Sequence, residues 1–482
     1  MSNRFTRFTQ STITALFLCI FMLAAPAAAK NTVASVLGSK DLNGATVGFV
    51  AWDMDTGETL YEQNIDQLMT PASNMKIVTA ATAMLGLGTE FQFVTAFHAG
   101  DWNPGAGTAR NLFVIGNGDP TFSGEFFDSN AAAADALAGL LKNKGLKRID
   151  GDMILDARAF SGADYPEGWS KEDPWYCYGM KVGALSIAEN CLIVTVQGAS
   201  KAGNAPTVKT DPPLHSSFVV NNVKTVSKGN SSIKVSQNSK GVVTITGQVR
   251  AGKSASHEYP APYPDMLFGS ALAAALQRAG IGFQGSLSRA SEFQGSAGQW
   301  TQIASVGSPQ MMHILGVMLK HSDNFIAEMM TRTMGAQTGP GGTTIGGAQA
   351  ISQILYESGI ASSGTIRIFD GSGLSRNNRL TPRVLMQLFR TFYNSYMGPG
   401  LMAALAEPGQ PGTLKKRLTG TAAVGNIKAK TGALRGVCSL SGYFTRKNGH
   451  TGAFVMFMNG YSVHSNNIRA IQDKLALVML EM

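Results

Sequence analysis

The chain of 482 residues has few of the residues that bind metals or form the disulfide bonds that stabilise small folds. Four cysteines and seven histidines are present, and they show no spacing typical of a zinc site. Charged residues make up only 15% of the chain, and no basic module interleaved with aromatics occurs. We therefore expect no metal, no cofactor and no nucleic-acid partner.

Long hydrophobic runs are also missing, except at the N-terminus. There ALFLCIFMLAA follows a segment that carries Arg4 and Arg7 but no acid, and PAAA precedes Lys30. This pattern predicts a secretory signal peptide over residues 1–29, cleaved near Ala29. The apolar run is too short to span a bilayer comfortably, so we expect a periplasmic protein without a transmembrane anchor after cleavage.

Export changes how the remaining cysteines are interpreted. Cys177 and Cys191 are 14 residues apart and could close a loop in an oxidising compartment. Sequence spacing cannot supply the geometry of a disulfide, so this pairing stays open. Cys438 would then be a buried, inert thiol. Without Arg4 and Arg7 the net charge falls from +9 to +7, which is compatible with an anionic cell-wall partner.

The length of the chain predicts two or three domains, because one simple core rarely grows so large. Residues 47–64 alternate around Asp-Thr-Gly and predict a β-hairpin. A helix is expected from about residue 73 to 87, and three strands and a helix are expected at the C-terminal end. The two ends can therefore form one antiparallel sheet with helices.

The middle of the chain has a different composition. Residues 88–290 contain short Val, Ile and Thr runs between turns, and they predict a mostly-β insertion of one or two smaller domains. The expected fold is thus a multidomain α/β protein, in which residues 30–87 and 291–482 form the domain that is interrupted.

The stretch PASNMKIVTA places Ser73 and Lys76 one helical turn apart. Ser-x-x-Lys is weak evidence alone, and a second copy runs from Ser231 to Lys234 in a strand-like stretch. Two further motifs strengthen the first. HSDNFIAEMM contains a Ser-x-Asn motif in a helical region, and AKTGALRG contains the only Lys-Thr-Gly of the chain.

In this order, Ser-x-x-Lys, Ser-Asp-Asn and Lys-Thr-Gly mark class A β-lactamases and penicillin-binding proteins. Each motif alone also fits a plainer role, such as a helix cap, a solvated lysine or a strand-edge charge. Their shared order and their expected places on helix, helix and strand favour a catalytic site.

The chemistry of acyl transfer explains these residue types. A serine hydroxyl needs a base to become nucleophilic, and a lysine can be that base only if its pKa is lowered, by burial or by a neighbouring cation. Ser73 would attack and Lys76 would take its proton, with Lys430 as the nearby cation that lowers the pKa of Lys76. Asn324 would hold Lys76, and Ser322 would relay a proton to the leaving amine.

The strand that carries Lys-Thr-Gly would bind the substrate. The backbone N–H groups of Ser73 and Ala433 would form an oxyanion hole. Lys430 and Thr431, followed by Gly432, would bind the C-terminal carboxylate of the substrate.

The sequence resembles the class C low-molecular-mass penicillin-binding proteins, serine D-alanyl-D-alanine carboxypeptidases and endopeptidases of the penicillin-binding protein 4 type. TPASNMKIVTA, GNGDPTF, FDGSGLSRNN and AKTGALRGVCSLSGYF carry the resemblance. It implies a β-lactamase/transpeptidase-like domain with a large insertion, for which the sequence separation of 249 positions from Ser73 to Ser322 leaves room. It also implies an acyl-enzyme on Ser73, peptidoglycan stem peptides as substrates and β-lactam antibiotics as covalent inhibitors.

The resemblance further implies a subsite for the diamino-acid side chain of the stem peptide. In KEDPWYCYGM the matching acid and aromatic are Asp173 and Tyr178. The arginine after Asp-Gly-Ser-Gly-Leu-Ser is Arg376, and the residue two positions past the Lys-Thr-Gly glycine is Leu434. A turn aspartate, a core tyrosine and a surface arginine are the plainer interpretations.

Two alternatives remain beside the leading hypothesis. A β-lactamase would need a deacylating Glu, usually in Glu-x-x-Leu-Asn, and no such stretch follows Asn324. A non-catalytic peptidoglycan-binding or sensor protein predicts a broken motif, and none is broken. The balance between carboxypeptidase and endopeptidase action stays open.

Overall fold

The computed structural model describes residues 32–293 and 300–482. The predicted signal peptide and its cleavage point near Ala29 lie outside the described residues. Within these two ranges, every helix is too short or too polar to cross a membrane.

A five-stranded antiparallel sheet joins the two ends of the chain, as predicted. Every pair of neighbouring strands in this sheet is antiparallel, and we call it the terminal sheet. In spatial order its strands are Ile427–Leu434, Val437–Thr445, Thr451–Asn459, Thr46–Asp53 and Thr59–Gln63. The Lys-Thr-Gly strand is therefore an edge strand, and half of its backbone N–H groups have no partner strand.

Helices cover both faces of the terminal sheet, because successive side chains of a strand point to opposite faces. Phe49 and Ala51 belong to a core shared with the C-terminal helix Ser465–Leu480, whereas Val50 and Trp52 belong to a second core on the other face. The helices of that second core are Met75–Gly86, Met311–His321, Asn324–Thr338, Thr344–Glu357, Pro382–Tyr393 and Gly398–Ala404.

The inserted region has a third hydrophobic core of its own. It contains two helices, Asn130–Asn143 and Pro264–Arg278, and several small sheets. Its strands are Val94–Gly100, Thr108–Ala109, Asn111–Ile115, Arg148–Ile149, Met153–Asp156, Cys191–Gln197, Thr207–Asp211, Val219–Val226, Ser232–Gln237, Val243–Arg250, Ser254–Pro260, Gly282–Phe283 and Leu287–Arg289, and the next strand along the chain is Trp300–Gly307. The predicted fold class, an α/β protein with an antiparallel sheet and an inserted β region, is confirmed.

Two features connect the inserted region to the rest of the chain. Trp300–Gly307 pairs antiparallel with Val94–Gly100, so strand pairing of the insertion continues past residue 290. In the opposite direction, Phe160, Met180 and Val182 pack into the core that surrounds the Met75–Gly86 helix. A segment of the insertion thus lies beside the predicted nucleophile. A short two-stranded ladder, Ile366–Arg367 with Arg379–Leu380, closes the base of the loop of residues 368–378.

Candidate active site

Ser73 lies in a tight turn at the start of a buried helix. The 3-10 turn Ala72–Asn74 runs directly into Met75–Gly86, so the serine lies beside the positive end of the helix dipole. Ala72 has a positive φ of 47°, and a Cβ on Gly373 would lie 1.9 Å from the Ala72 carbonyl oxygen. Close packing against a glycine therefore fixes the turn that presents Ser73.

Lys76 is fully buried and directed at the serine. Its Nζ donates to Ser73 Oγ at 3.2 Å, to Asn324 Oδ1 at 2.7 Å and to the Ser372 carbonyl oxygen at 2.6 Å. An ammonium group has three protons, and each has an acceptor here. The first two motifs thus meet at one nitrogen atom.

Burial lowers the pKa of Lys76 to about 8, against the opposing effect of nearby carboxylates, Asp370 first among them. The sequence had suggested burial or the neighbouring cation Lys430 as the cause of a lowered pKa, and in the structure burial is the largest effect on the pKa of Lys76. The pKa of Lys430 is itself held well below its usual value, by burial and then by the charge of Lys76. Lys76 and Lys430 therefore both have lower pKa values than solvated lysines, mainly because burial removes them from water.

Lys430 joins the second and third motifs. Its Nζ donates to Ser322 Oγ at 2.7 Å and to the Thr431 carbonyl oxygen at 2.7 Å. Ser322 has a left-handed backbone, with φ 62°, because it lies in the sharp connection between two helices. Asp323 caps the second helix by accepting from the N–H of Ile326 at 2.7 Å. This cap fixes the turn from which the hydroxyl of Ser322 reaches Lys430.

The edge strand leaves backbone donors free beside Ser73. The N–H of Ala429 donates outward, to Ala406 O, and not into the sheet. Alternate residues of a strand face the same side, so the N–H groups of Thr431 and Ala433 also face the open edge. A Cβ on Gly432 would lie 2.2 Å from Ser439 Oγ and 2.9 Å from the backbone N of Ser73, so only glycine fits there.

A disulfide-closed loop of the inserted region reaches this site. Cys177 and Cys191 are bonded, with a Cα–Cα distance of 5.5 Å, whereas Cys438 is a free and buried thiol. The carbonyl oxygen of Tyr178 accepts from Asn324 Nδ2 at 2.9 Å. One amide side chain therefore holds both Lys76 and the loop that the disulfide anchors.

Asp173 and Tyr178, the predicted acid and aromatic, contact each other in this loop. The Tyr178 hydroxyl donates to Asp173 Oδ1 at 3.1 Å, and the N–H of Ser170 donates to Oδ2 at 2.7 Å. Asp173 is 9% exposed, whereas Tyr178 is 48% exposed and stacks on Tyr176. Each carboxylate oxygen keeps a lone pair that a further cation could use.

Arg376, another predicted member of the subsite, contacts the residue next to Leu434, the last predicted member. Arg376 Nη1 donates to the carbonyl oxygen of Arg435, the residue that follows Leu434, at 3.0 Å. The backbone N–H of Arg376 donates to Gly168 O at 3.2 Å, which attaches its loop to the segment that leads to Asp173. No direct contact between Arg376 and Asp173 is found among the described residues.

Three residues of the site were missed by sequence reasoning. Asn74 donates from Nδ2 to the Lys430 carbonyl oxygen at 2.9 Å. Glu328 accepts from the N–H groups of Gly371 and Ser372, at 3.1 and 2.8 Å, and so places the carbonyl that binds Lys76.

The third, Asp370, organises the loop of FDGSGLSRNN. It accepts from Trp169 Nε1 at 2.8 Å, from Asn378 Nδ2 at 2.6 Å and from two backbone N–H groups of its own loop. For Glu328, though not for Asp370, the sequence did contain a signal. Glu328 follows Asn324 by one helical turn in an apolar stretch.

The spare Ser-x-x-Lys copy takes no part in the site. Ser231 lies in the inserted region, where its Oγ accepts from the backbone N–H of Arg250 at 3.0 Å. Ser73, Ser322 and Thr431 instead line a cleft of about 590 Å³. The cleft thus contains residues from all three motifs, with a hydroxyl beside a buried amine, which is an arrangement suited to acyl transfer.

Comparisons with known proteins agree with this chemistry. Residues 29–481 match the model of the D-Ala-D-Ala carboxypeptidase 3 (S13) family. The chain is 29% identical to a D-alanyl-D-alanine carboxypeptidase of Actinomadura sp. (strain R39), with 94% of this chain and 84% of that protein covered. It is also 29% identical to the D-alanyl-D-alanine carboxypeptidase DacB of Haemophilus influenzae, with 98% and 96% covered.

Solved structures give the same result. The crystal structure of penicillin binding protein 4 (dacB) from Haemophilus influenzae superimposes with a TM-score of 0.74 at 26% identity, over 92% of this chain and 97% of that one. A complex of that protein with a β-lactam superimposes with a TM-score of 0.68 at 24% identity, over 92% and 98%. The similarity thus covers both the interrupted domain and the insertion.

Proposed function

The chain belongs to the D-Ala-D-Ala carboxypeptidase 3 (S13) family, and from this premise we propose that Ser73 is its nucleophile and Lys76 its general base. The protein is a serine-type D-Ala-D-Ala carboxypeptidase/endopeptidase of the penicillin-binding protein 4 type. The single observation that carries the assignment is the buried Lys76 Nζ, 3.2 Å from Ser73 Oγ and with a pKa of about 8.

Acylation follows from this geometry. Neutral Lys76 takes the hydroxyl proton as Ser73 Oγ attacks the carbonyl carbon of the penultimate D-alanine. The C–N bond then breaks, and the leaving amine takes a proton through Ser322, whose Oγ is 2.7 Å from Lys430 Nζ. The products are an ester on Ser73 and a free amine, and water later hydrolyses the ester.

The negative charge that develops on the carbonyl oxygen is stabilised by the edge strand. The N–H groups of Ser73 and Ala433 form the oxyanion hole, and removal of one such donor typically costs about 3–4 kcal/mol. Thr431, with Lys430 behind it, binds the substrate carboxylate. Gly432 has no side chain, which lets the strand lie this close to Ser73.

A fluorescent penicillin tests the assignment. A β-lactam mimics the acyl donor, so we expect an adduct on the peptide that contains Ser73, found by mass spectrometry. Ser73→Ala should abolish labelling, whereas Ser231→Ala, in the spare motif, should label like the wild type. An adduct on another serine, or undiminished labelling of Ser73→Ala, would refute the proposal.

The same protein should release the penicilloyl group slowly. The sequence after Asn324 lacks the Glu setting that deacylates class A β-lactamases. With nitrocefin we expect a burst equal to the enzyme concentration and little turnover afterwards. Rapid sustained turnover would instead favour the β-lactamase hypothesis.

Peptidoglycan stem peptides are the proposed substrates, and Asp173, Tyr178, Arg376 and Leu434 the proposed side-chain subsite. The acid and the exposed aromatic fit an amine on an aliphatic chain. The hydrogen bond from Asn324 to Tyr178 supports this role, because it joins the loop to the catalytic lysine.

We also propose the division into an interrupted domain, 30–87 with 291–482, and an inserted region, 88–290. Separate hydrophobic cores support it, although the pairing of Trp300–Gly307 with Val94–Gly100 favours a later second boundary. A periplasmic location, after cleavage near Ala29, is supported by the disulfide, which forms in oxidising compartments.

A further inference from the structure

The cleft extends beyond the nucleophile on the side of Thr431. Its volume is about 590 Å³, within the range of roughly 300–1,000 Å³ found for pockets that hold drug-sized ligands. A free D-alanine is a very small leaving group and would fill only a fraction of this space. The cleft therefore has room for a larger group on the leaving side of the scissile bond.

Three positively charged side chains line this cleft. We call Lys416, Arg417 and Arg469 the cationic wall, and Asp473 is the only acid that lines the same cleft among the described residues. Asp473 pairs with Arg417, at 2.7 Å between Oδ1 and Nη2. Two positive charges of the cationic wall are therefore left to act on whatever enters the cleft.

Lys416 and Arg469 are those two charges. Neither has an acid within 4.0 Å in the part of the chain that the structure describes. Lys416 is exposed, and among the described residues the side chain of Arg469 makes one hydrogen bond, from Nη1 to Asn466 Oδ1 at 3.2 Å. Cations without a carboxylate partner, beside a nucleophile and in a concave site, favour an anionic ligand.

A buried glutamine lies behind the cationic wall. Gln472 is 1% exposed and accepts from Arg417 Nη2 through Oε1 at 3.3 Å. Arg469, Gln472 and Asp473 lie on one face of the C-terminal helix, at spacings of three and four residues. Gln472 Nε2 and Thr413 Oγ1, which belong to residues lining the cleft, have no partner among the described residues. Such unsatisfied buried groups are uncommon, and a polar ligand in the cleft would give these two atoms a hydrogen-bond partner.

Building on the proposed function, we propose that the cationic wall binds the leaving strand of a cross-linked stem peptide, with Lys416 and Arg469 receiving its carboxylates. In such a substrate the D-alanine carbonyl is joined to the side-chain amine of a diamino acid on a second stem. Attack by Ser73 forms the ester and breaks this amide, and the amine leaves with the proton delivered through Ser322. The leaving strand carries more carboxylates than a free D-alanine.

Two substrates of the full-length mature enzyme separate this role from catalysis. One is a monomeric pentapeptide ending in D-Ala-D-Ala, and the other is a cross-linked muropeptide dimer. For Lys416→Ala and Arg469→Ala we expect the loss of kcat/KM on the dimer to exceed the loss on the pentapeptide by about fivefold to tenfold. Lys415→Ala, a neighbouring exposed lysine outside the cleft, is the matched control and should not change the ratio.

Salt gives a second measurement that does not depend on variants. Added salt should lower the dimer rate of the wild type more than its pentapeptide rate, because screening weakens exposed charges. Equal losses on both substrates, or no loss on the dimer, would overturn the inference. A wild type that cleaves the pentapeptide but not the dimer would also overturn it while leaving the proposed function intact. Persistent hydrolysis by Ser73→Ala would instead refute the proposed function.

Discussion

Asn74 and Lys430 are joined directly, since Asn74 Nδ2 donates to the carbonyl oxygen of Lys430 at 2.9 Å. The residue after the nucleophile thus holds the first residue of Lys-Thr-Gly, from an opposite part of the sequence. Asn74 is fully buried, and Ser439 reinforces the same junction by donating from Oγ to Pro71 O at 2.7 Å. The distance between Ser73 and the edge strand is therefore set by side chains that do no chemistry themselves.

The first prediction concerns this junction. Asn74→Asp keeps the size of the side chain but places a carboxylate oxygen against the carbonyl oxygen of Lys430. We expect at least tenfold slower acylation by a fluorescent penicillin, and a loss of about 1–3 kcal/mol in the free energy of unfolding. Asn117→Ala is the control, because the exposed Asn117 makes only a long hydrogen bond to Val94 O. Wild-type acylation by Asn74→Asp would show that the junction does not set the geometry.

The second prediction tests the close approach at Gly432. In Gly432→Ala, the new methyl group must displace Ser439, the strand or the backbone of Ser73. A displacement near 1 Å in a catalytic site costs about 100-fold in rate, so we expect a loss of that order in acylation. Gly139→Ala is the matched control, since a Cβ there meets nothing within 4 Å in a helix. That control should acylate normally and gain up to about 1 kcal/mol of stability.

The third prediction is a pH profile. Lys76 must lose its proton to act as base, and burial lowers its pKa from 10.5 to about 8. The second-order rate constant of acylation should therefore rise about tenfold per pH unit below pH 8 and level off above it. An unperturbed lysine would give a rate that still rises at pH 10. A flat profile between pH 6 and 9 would mean that Lys76 is already neutral in the resting enzyme.

The fourth prediction concerns Glu328, which lies behind the loop that binds Lys76. Burial, and then the charge of Asp370, raise the pKa of Glu328 from 4.5 to about 8. Between these two values the unfolded chain has released a proton that the folded chain retains. The wild type should therefore lose stability as pH rises from about 4.5 to 8, by on the order of 1 kcal/mol per unit.

Glu328→Gln removes this titration and keeps an acceptor for the N–H groups of Gly371 and Ser372. Its free energy of unfolding, relative to the wild type, should increase from pH 5 to pH 8 in denaturant titrations. Glu328→Ala lacks the acceptor and should acylate more slowly than Glu328→Gln. A stability difference that does not change with pH would show that Glu328 is ionised throughout this range.

Local sequence patterns predicted a large part of this fold. The hairpin, the C-terminal three strands and the helix after Ser73 each have a clear period and a clear turn signal. The three motifs predicted which residues meet, because nucleophile, base and proton relay must lie within hydrogen-bonding distance of one another. The disulfide could not be decided from spacing, since it depends on where strand Cys191–Gln197 lies relative to the Asp173 loop.

The supporting residues were harder to predict. Asn74, Glu328 and Asp370 act through contacts with backbone groups that are distant in sequence, and no periodic pattern records such contacts. The choice between burial and the cation Lys430 as the cause of the lowered pKa of Lys76 could not be made from the sequence for a related reason. Complete burial of a lysine depends on the packing of helices and loops from several parts of the chain.

The fifth prediction tests the side-chain subsite. Asp173→Asn removes the charge but keeps an oxygen for Ser170 N–H. Its amide N–H can donate to the Tyr178 hydroxyl, which then accepts, so the loop that holds Asn324 should keep its conformation. We expect severalfold lower kcat/KM on a stem peptide with a free side-chain amine, because a partly exposed ion pair contributes about 1 kcal/mol.

A small D-Ala-D-Ala analogue without that amine should be cleaved by Asp173→Asn almost as well as by the wild type. Tyr178→Phe provides the matched comparison, since it deletes the hydrogen bond to Asp173 and leaves the charge. If Asp173→Asn lowers kcat/KM equally on both substrates, Asp173 serves only to shape the loop. If the substitution lowers kcat/KM on neither substrate, the amine binds elsewhere. The exposed side of the Tyr176–Tyr178 stack would then be the next surface to test.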